Sequence, residues 1–201
     1  MSFLSGPEIE RIIKVSETWD PHSGELPPQY AEGKYIRITP FEPKHVGANS
    51  VDLRIARKLF RYGLPQIDNT GNVRNYLDSR DPNRIYECVD MEEWGAVLYP
   101  NTLYLGSTVE ETECHGLVPT LETRSSFARL GLSCHLSAGF GDDGFKGNWV
   151  LEITVANPIR IYPNQRICQV AFSPVIGERR PYRGKYSNST GPTDSRAHED
   201  Q

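Results

Sequence analysis

Three stretches of the sequence gather side chains able to bind an anion or move a proton. The densest is Glu122-Thr123-Arg124-Ser125-Ser126-Phe127-Ala128-Arg129-Leu130-Gly131-Leu132. Two hydroxyls beside a guanidinium, followed by a short helix, suit an oxyanion, because an Arg fork and helix-start N–H groups both bind phosphate. The same residues equally suit an ordinary capped, solvated helix. The second stretch is Ser137-Ala138-Gly139-Phe140-Gly141-Asp142-Asp143-Gly144-Phe145-Lys146-Gly147. Its glycines let a ligand approach the backbone, and Asp142 could orient a water or a metal-bound phosphate; the bland alternative is an Asp-Gly hairpin turn. The third is Glu152 within Trp149-Val150-Leu151-Glu152-Ile153-Thr154-Val155. Strand alternation puts Val150, Glu152 and Thr154 on one face and Leu151, Ile153 and Val155 on the other. A carboxylate among large apolar neighbours is costly to bury unless paired, and such a wall suits a general acid or base; a simply wet face is the alternative.

Zinc chemistry has weaker support. The H-x-E and P-C-x-x-C signature of zinc deaminases is absent. Cys114-His115 and Cys134-His135 are adjacent pairs, and neighbours on a strand point to opposite faces, so each offers one ligand at most. Ordinary packing accounts for these cysteines. The tail carries Arg180-Pro181-Tyr182, Gly184-Lys185-Tyr186, Gly191-Pro192-Thr193 and Ser195-Arg196. Basic and aromatic residues on such a segment could fold over a nucleotide, or belong to a disordered terminus.

The elements that must position these residues read as mainly β. Ser5, Pro7 and Glu8 mark a helix start, with the helix running through Lys14. Strand-like runs are expected at residues 34–39, 50–55, 59–62, 96–99, 103–108, 117–122, 132–136, 148–155, 159–161 and 167–172, with a short helix at 125–130. Turn signals separate them, a cadence of a β-sandwich or jelly-roll-like barrel rather than a parallel sheet with crossover helices. Residues 17–33 read as a surface loop and 63–81 as a loop-like insertion. The tail from Arg179 lacks apolar periodicity and is expected to be mobile until something binds it.

A length of 201 residues favours one domain. With 37% hydrophobic and 24% charged residues, the chain reads as globular rather than disordered. The net charge of −4 gives no basic bias of the kind nucleic-acid binders show, though a small anionic ligand needs only a few local cations. No apolar run could cross a bilayer and the N-terminus does not resemble a signal peptide, so a cytoplasmic protein with no membrane partner is expected. The four cysteines lack a C-x-x-C pair and read as reduced thiols.

Taken in order, the segments resemble the dCTP deaminase branch of the trimeric dUTPase superfamily. Ser50-Val51-Asp52-Leu53-Arg54 resembles its S-x-D-x-R strand, and residues 124–132 resemble R-S-S-L-A-R-L-G-L. Residues 138–147 resemble A-G-F-I-D-P-G-F-x-G, residues 151–153 the T-L-E-L strand, and residues 161–172 the L-x-P-G-M-x-I-G-Q-L-x-F stretch. The tail resembles G-K-Y followed by G-P-T-P-S-R. The resemblance covers most of the chain. It implies a single dUTPase-like domain over residues 1–201, a distorted jelly-roll β-barrel with a few short helices, with residues 17–33 and 63–90 as insertions and 179–201 as the tail. It further implies a homotrimer with active sites between subunits, a deoxynucleoside triphosphate substrate, and Mg²⁺ carried on the phosphates. Glu152 would be the general base, Ser125 and the Ala138 backbone would hold the water, and Arg129 would stabilise charge near the base. Arg124, Ser126, Phe140, Gln169, Tyr182, Lys185 and Tyr186 would bind substrate.

The chain departs from the family pattern at several points. Gly141 stands for a usual Ile, Asp143 for Pro or Ala, Cys168 for Gly, and Ser189 for a common Gln. Asp143 adds a negative charge where phosphates would lie. Three readings follow. The first is a zinc-independent hydrolase, a deaminase turning dCTP, or a modified dCTP, into dUTP and ammonia. The second is a bifunctional enzyme that continues to dUMP and pyrophosphate, with Asp142 activating a second water; Ala138-Gly139-Phe140 and the tail resemble the bifunctional members more. The third is a catalytically silent nucleotide sensor.

Overall fold

Apolar residues alternate along the strands and fold into one core. The computed structural model describes residues 2–19, 33–63, 66–74 and 76–200. Helix α1 (Gly6–Ser16) starts at Ser5, whose hydroxyl accepts the Glu8 N–H at 3.4 Å, and carries Pro7 in its first turn. It buries Ile9, Ile12 and Ile13. The strands are β1 (Tyr35–Thr39), β2 (Val51–Arg54), β3 (Lys58–Tyr62), β4 (Gln66–Ile67), β5 (Val73–Arg74), β6 (Tyr86–Asp90), β7 (Ala96–Leu98), β8 (Tyr104–His115), β9 (Leu117–Thr123), β10 (Leu132–Ser133), β11 (Lys146–Val155), β12 (Ile159–Ile161) and β13 (Arg166–Pro174). The one-turn helix α2 (Ser125–Ala128) lies between β9 and β10.

The larger sheet runs β10-β11-β8-β3-β6, with β1 also paired to β8. The smaller sheet runs β2-β13-β9, and β12 pairs with β7. All the named pairings are antiparallel. Ile55, Leu59 and Ile153 converge on Gly106, where a Cβ would come within 2.9 Å of the Ile55 and Leu59 side chains. Leu53, Leu121, Leu151, Ile167 and Val170 extend the core between the sheets. This is the mainly β architecture that the sequence cadence predicts.

Three regions differ from the sequence reading. Strand β8 continues to His115, beyond the expected 103–108. Its Val109-Glu110-Glu111-Thr112-Glu113 segment looks solvated, yet Glu110 and Glu113 are each 1% exposed. Arg54 donates to Glu110 through its backbone N–H at 2.8 Å and its Nε at 2.6 Å. Arg37 approaches Glu113 at 2.5 Å, and Lys146 at 3.5 Å. Pairing makes these buried charges tolerable. The expected insertion at 63–90 is a β excursion, with β4 paired to β5 and β6 returning along β3. Most of the 17–33 loop lies outside the described residues. The tail, expected to be mobile, is docked: Asn188 N–H donates to the Lys146 carbonyl at 2.8 Å and Asn148 N–H to the Ser189 carbonyl at 2.9 Å. Backbone pairing to β11, not an apolar stripe, holds it. Gly147 permits the approach, since a Cβ there would lie 2.9 Å from the Ser189 backbone.

Candidate active site

Strand β11 alternates as its sequence predicts. Leu151, Ile153 and Val155 are buried, while Val150, Glu152 and Thr154 form a half-buried face. In the antiparallel register Glu152 stands opposite Leu105 of β8. Its Oε2 accepts the Leu136 N–H at 3.2 Å, which ties β11 to the loop after β10. An open cleft of about 540 Å³ forms over this face. Its walls include Ser137, Ala138, Phe140, Asp142, Trp149 and Glu152 from the β10–β11 region, Tyr182, Tyr186 and Asp194 from the tail, and Tyr62 from β3. Glu152, Ala138, Phe140, Asp142, Tyr182 and Tyr186 therefore share one cleft in a single chain.

The glycines of the β10–β11 loop are needed for packing within the chain. A Cβ on Gly139 would lie 2.6 Å from the Leu121 carbonyl oxygen, and one on Gly141 would lie 2.6 Å from the Trp149 ring. The loop lies this close to β9, with Leu121 N–H donating to the Gly139 carbonyl at 2.6 Å and Gly141 N–H to that of Pro119 at 2.9 Å. Asp142 is exposed at the cleft. Asp143 points elsewhere and is 7% exposed. Its carboxylate accepts the Gly116 N–H at 2.8 Å and two Arg179 guanidinium bonds at 2.7 and 2.8 Å. The extra negative charge is thus neutralised at the root of the tail instead of facing the cleft, and Tyr182 N–H donates to the Asp143 carbonyl at 2.7 Å.

The Arg-Ser-Ser segment lies apart. Arg124, at the start of α2, makes no side-chain cap there. Its Nε pairs with Asp52 at 3.0 Å and its NH1 donates to the Arg166 carbonyl at 3.0 Å. Arg124 lines a second depression of about 720 Å³ with Glu42, Lys44, His45, Arg54 and Arg166, in which Glu42 pairs with Lys44 at 2.7 Å and with Arg54 at 3.0 Å. Ser125, Ser126 and Arg129 are exposed. None of these four residues lines the Glu152 cleft. Gln169 is held on β13, where Ser50 Oγ donates to its Oε1 at 3.0 Å. Lys185 is also engaged within the chain: its Nζ donates to Asp200 at 2.7 Å and to the Arg196 carbonyl at 2.9 Å.

Sequence reasoning missed Tyr62, Leu103, Leu105 and Asp194 as cleft residues, because strand pairing and tail docking bring them in from distant segments. Among the described residues no group of three or more His, Cys, Asp or Glu side chains is arranged to hold a metal. Among them too, no helix is long and apolar enough to cross a membrane.

A family model described as dCTP deaminase-like matches residues 23–175. The "dCTP deaminase, dUMP-forming" of Hathewaya histolytica is 45% identical over 159 residues, covering 79% of this chain and 86% of the relative. That of Leptospira biflexa is 43% identical over 161 residues with the same coverage. The crystal structure of the 2'-deoxycytidine 5'-triphosphate deaminase from Agrobacterium tumefaciens superposes with a TM-score of 0.53 at 18% identity. That match covers 85% of this chain, which spans about half, 47%, of the solved one. At that identity the likeness is one of fold, and it agrees with the dUTPase-like jelly-roll. With most of its length matched by the family model and by relatives above 40% identity, the chain belongs to the dCTP deaminase-like family.

Proposed function

We propose that the chain converts dCTP to dUMP, with release of ammonia and pyrophosphate, in the cytoplasm. The observation that carries this reading is the presence of Glu152 and Asp142 in one cleft, in a chain whose similar relatives are named dUMP-forming. Those names favour the two-step reading over a deaminase that stops at dUTP.

Glu152 takes a proton from a water, and the resulting hydroxide attacks cytosine C4. The Glu passes that proton to N3, then takes the proton of the new C4 hydroxyl and hands it to the amine, so that the C4–N bond breaks, ammonia departs and uracil remains. Ser125 and the Ala138 backbone hold that water, and Arg129 stabilises charge near the base. Asp142 activates a second water against the α-phosphate; the P–O bond to the β-phosphate breaks, giving dUMP and pyrophosphate. Zinc has no role in this scheme. Mg²⁺ carried on the phosphates would meet the exposed Asp142 carboxylate at the cleft wall. When bound, the ion neutralises phosphate charge.

Arg124, Ser125, Ser126 and Arg129 belong to this site through a neighbouring copy in a homotrimer. The exposure of Ser125, Ser126 and Arg129, and the separation of all four from the Glu152 cleft within one chain, support that assignment. Arg124, Ser126 and Gln169 meet the phosphates; Tyr182, Lys185 and Tyr186 close over the nucleotide.

The test is incubation with dCTP and Mg²⁺, resolving dUTP, dUMP, ammonia and pyrophosphate. Pyrophosphate should rise in step with ammonia. Accumulating dUTP would favour the plain deaminase, and tight binding without turnover would favour the sensor. Glu152→Gln should lower ammonia release by at least ~10²-fold while nucleotide still binds. Asp142→Asn should spare ammonia and block pyrophosphate.

A further inference from the structure

Among the described residues, the docked tail meets the end of β3 and the 63–90 excursion at Asp194 and Ser195. The Tyr62 hydroxyl donates to Asp194 Oδ1. The Arg84 guanidinium lies 3.4 Å from Asp194 Oδ2 and donates to the Ser195 carbonyl at 2.7 Å. Arg84 is itself held from behind by the carbonyls of Asp78 and Ser79, each at 3.2 Å. Its side chain is only 5% exposed, and that of Asp194 21%. Burial, then the neighbouring carboxylate, raises the Tyr62 hydroxyl above its ordinary pKa and keeps it a donor.

Asp194 stands where the resembled G-P-T-P-S-R segment carries its second proline, and Arg84 lies in the stretch that the resemblance marks as an insertion. Two departures from the pattern thus turn out to be each other's partners. The contact also reaches the nucleotide-facing residues: Tyr186 Oη accepts the Arg196 N–H at 2.9 Å and Lys185 Nζ donates to the Arg196 carbonyl at 2.9 Å.

We propose that Asp194, gripped by Tyr62 and Arg84, is a positioning residue that holds the tail across the cleft and so sets how tightly the triphosphate is retained. The proposal rests on reading the Glu152 cleft as the nucleotide site. A charge-assisted bond between partly buried groups is strong enough to hold such a segment, and a proline at this position would offer no acceptor side chain.

The test uses the full chain with Asp194→Asn, Arg84→Met, the double variant and Asp194→Glu. Without nucleotide, backbone hydrogen exchange at residues 185–196 should quicken about tenfold in either single variant, with the unfolding midpoint of the body unchanged. With dCTP, KM should rise about tenfold while kcat stays within about twofold. The double variant should cost no more than the worse single one, and Asp194→Glu should recover part of the loss. Unchanged exchange in both single variants, additive costs, or a fall in kcat at constant KM would overturn the latch. Were the parent chain inert toward dCTP, the functional reading would fall, and the exchange measurement would still decide the latch.

Discussion

Asp142 and Asp143 carry the same formal charge one residue apart, and their surroundings divide their roles. Asp142 faces the cleft and water. Asp143 is enclosed by Gly116 N–H and the Arg179 guanidinium. Burial alone would raise the Asp143 carboxyl, but Arg179 and the Gly116 N–H together hold it below its ordinary value of 3.8. A carboxylate lowered in this way contributes stability that is present above the ordinary value and lost as pH falls through the lowered one. Tail anchoring should therefore persist through mildly acidic conditions and fail only below 3.8. The amide signal of Tyr182, which donates to the Asp143 carbonyl, would report the loss. Asp143→Asn should loosen the tail throughout and remove its acid dependence; an acid transition that survived this substitution would assign it to another group. The Asp-Asp pair was visible in the sequence, but the separate fates were not. They depend on an arginine 36 residues away, which no local pattern identifies.

Elements were legible where local chemistry agreed with tertiary demand. Ser5 and Pro7 set the start of α1, and alternation along β11 placed Glu152 on the accessible face. Legibility failed where tertiary partners overrode the local pattern. The acidic second half of β8 looks wet until Arg54, Arg37 and Lys146 are brought beside it. Strands β4, β5 and β6 expose Ile67, Val73 and Tyr86, so no buried face writes an apolar alternation into their sequence. The glycine loop illustrates a third case, in which residues suited to a ligand also serve packing within the chain. Gly139→Ala should force the loop off β9, at about 1–3 kcal/mol, the usual cost of overpacking. Denaturant unfolding would measure the cost, and activity should fall with it because Ala138 and Phe140 flank the site. A variant of parent stability would show that β9 can yield.

At the scale of the molecule, one chain supplies Glu152, the proposed general base, and the tail, while the Arg-Ser-Ser hydroxyls and Arg129 are exposed on another part of its surface. That division is testable by complementation. Glu152→Gln and Ser125→Ala chains, each inactive alone, should on co-refolding regain about one quarter of the parent rate if chains mix at random and each site draws on two of them. No recovery would locate both residues within one chain's site. The sequence named these candidate residues through their resemblance, whereas their separation on the folded chain follows only from the fold. The docked tail has a kinetic consequence as well. Tyr182, Tyr186 and Asp194 form part of the cleft wall, so under the proposed function a bound nucleotide leaves no faster than the tail lifts. The dwell time of product then follows the opening rate of the tail and not the affinity of the pocket alone.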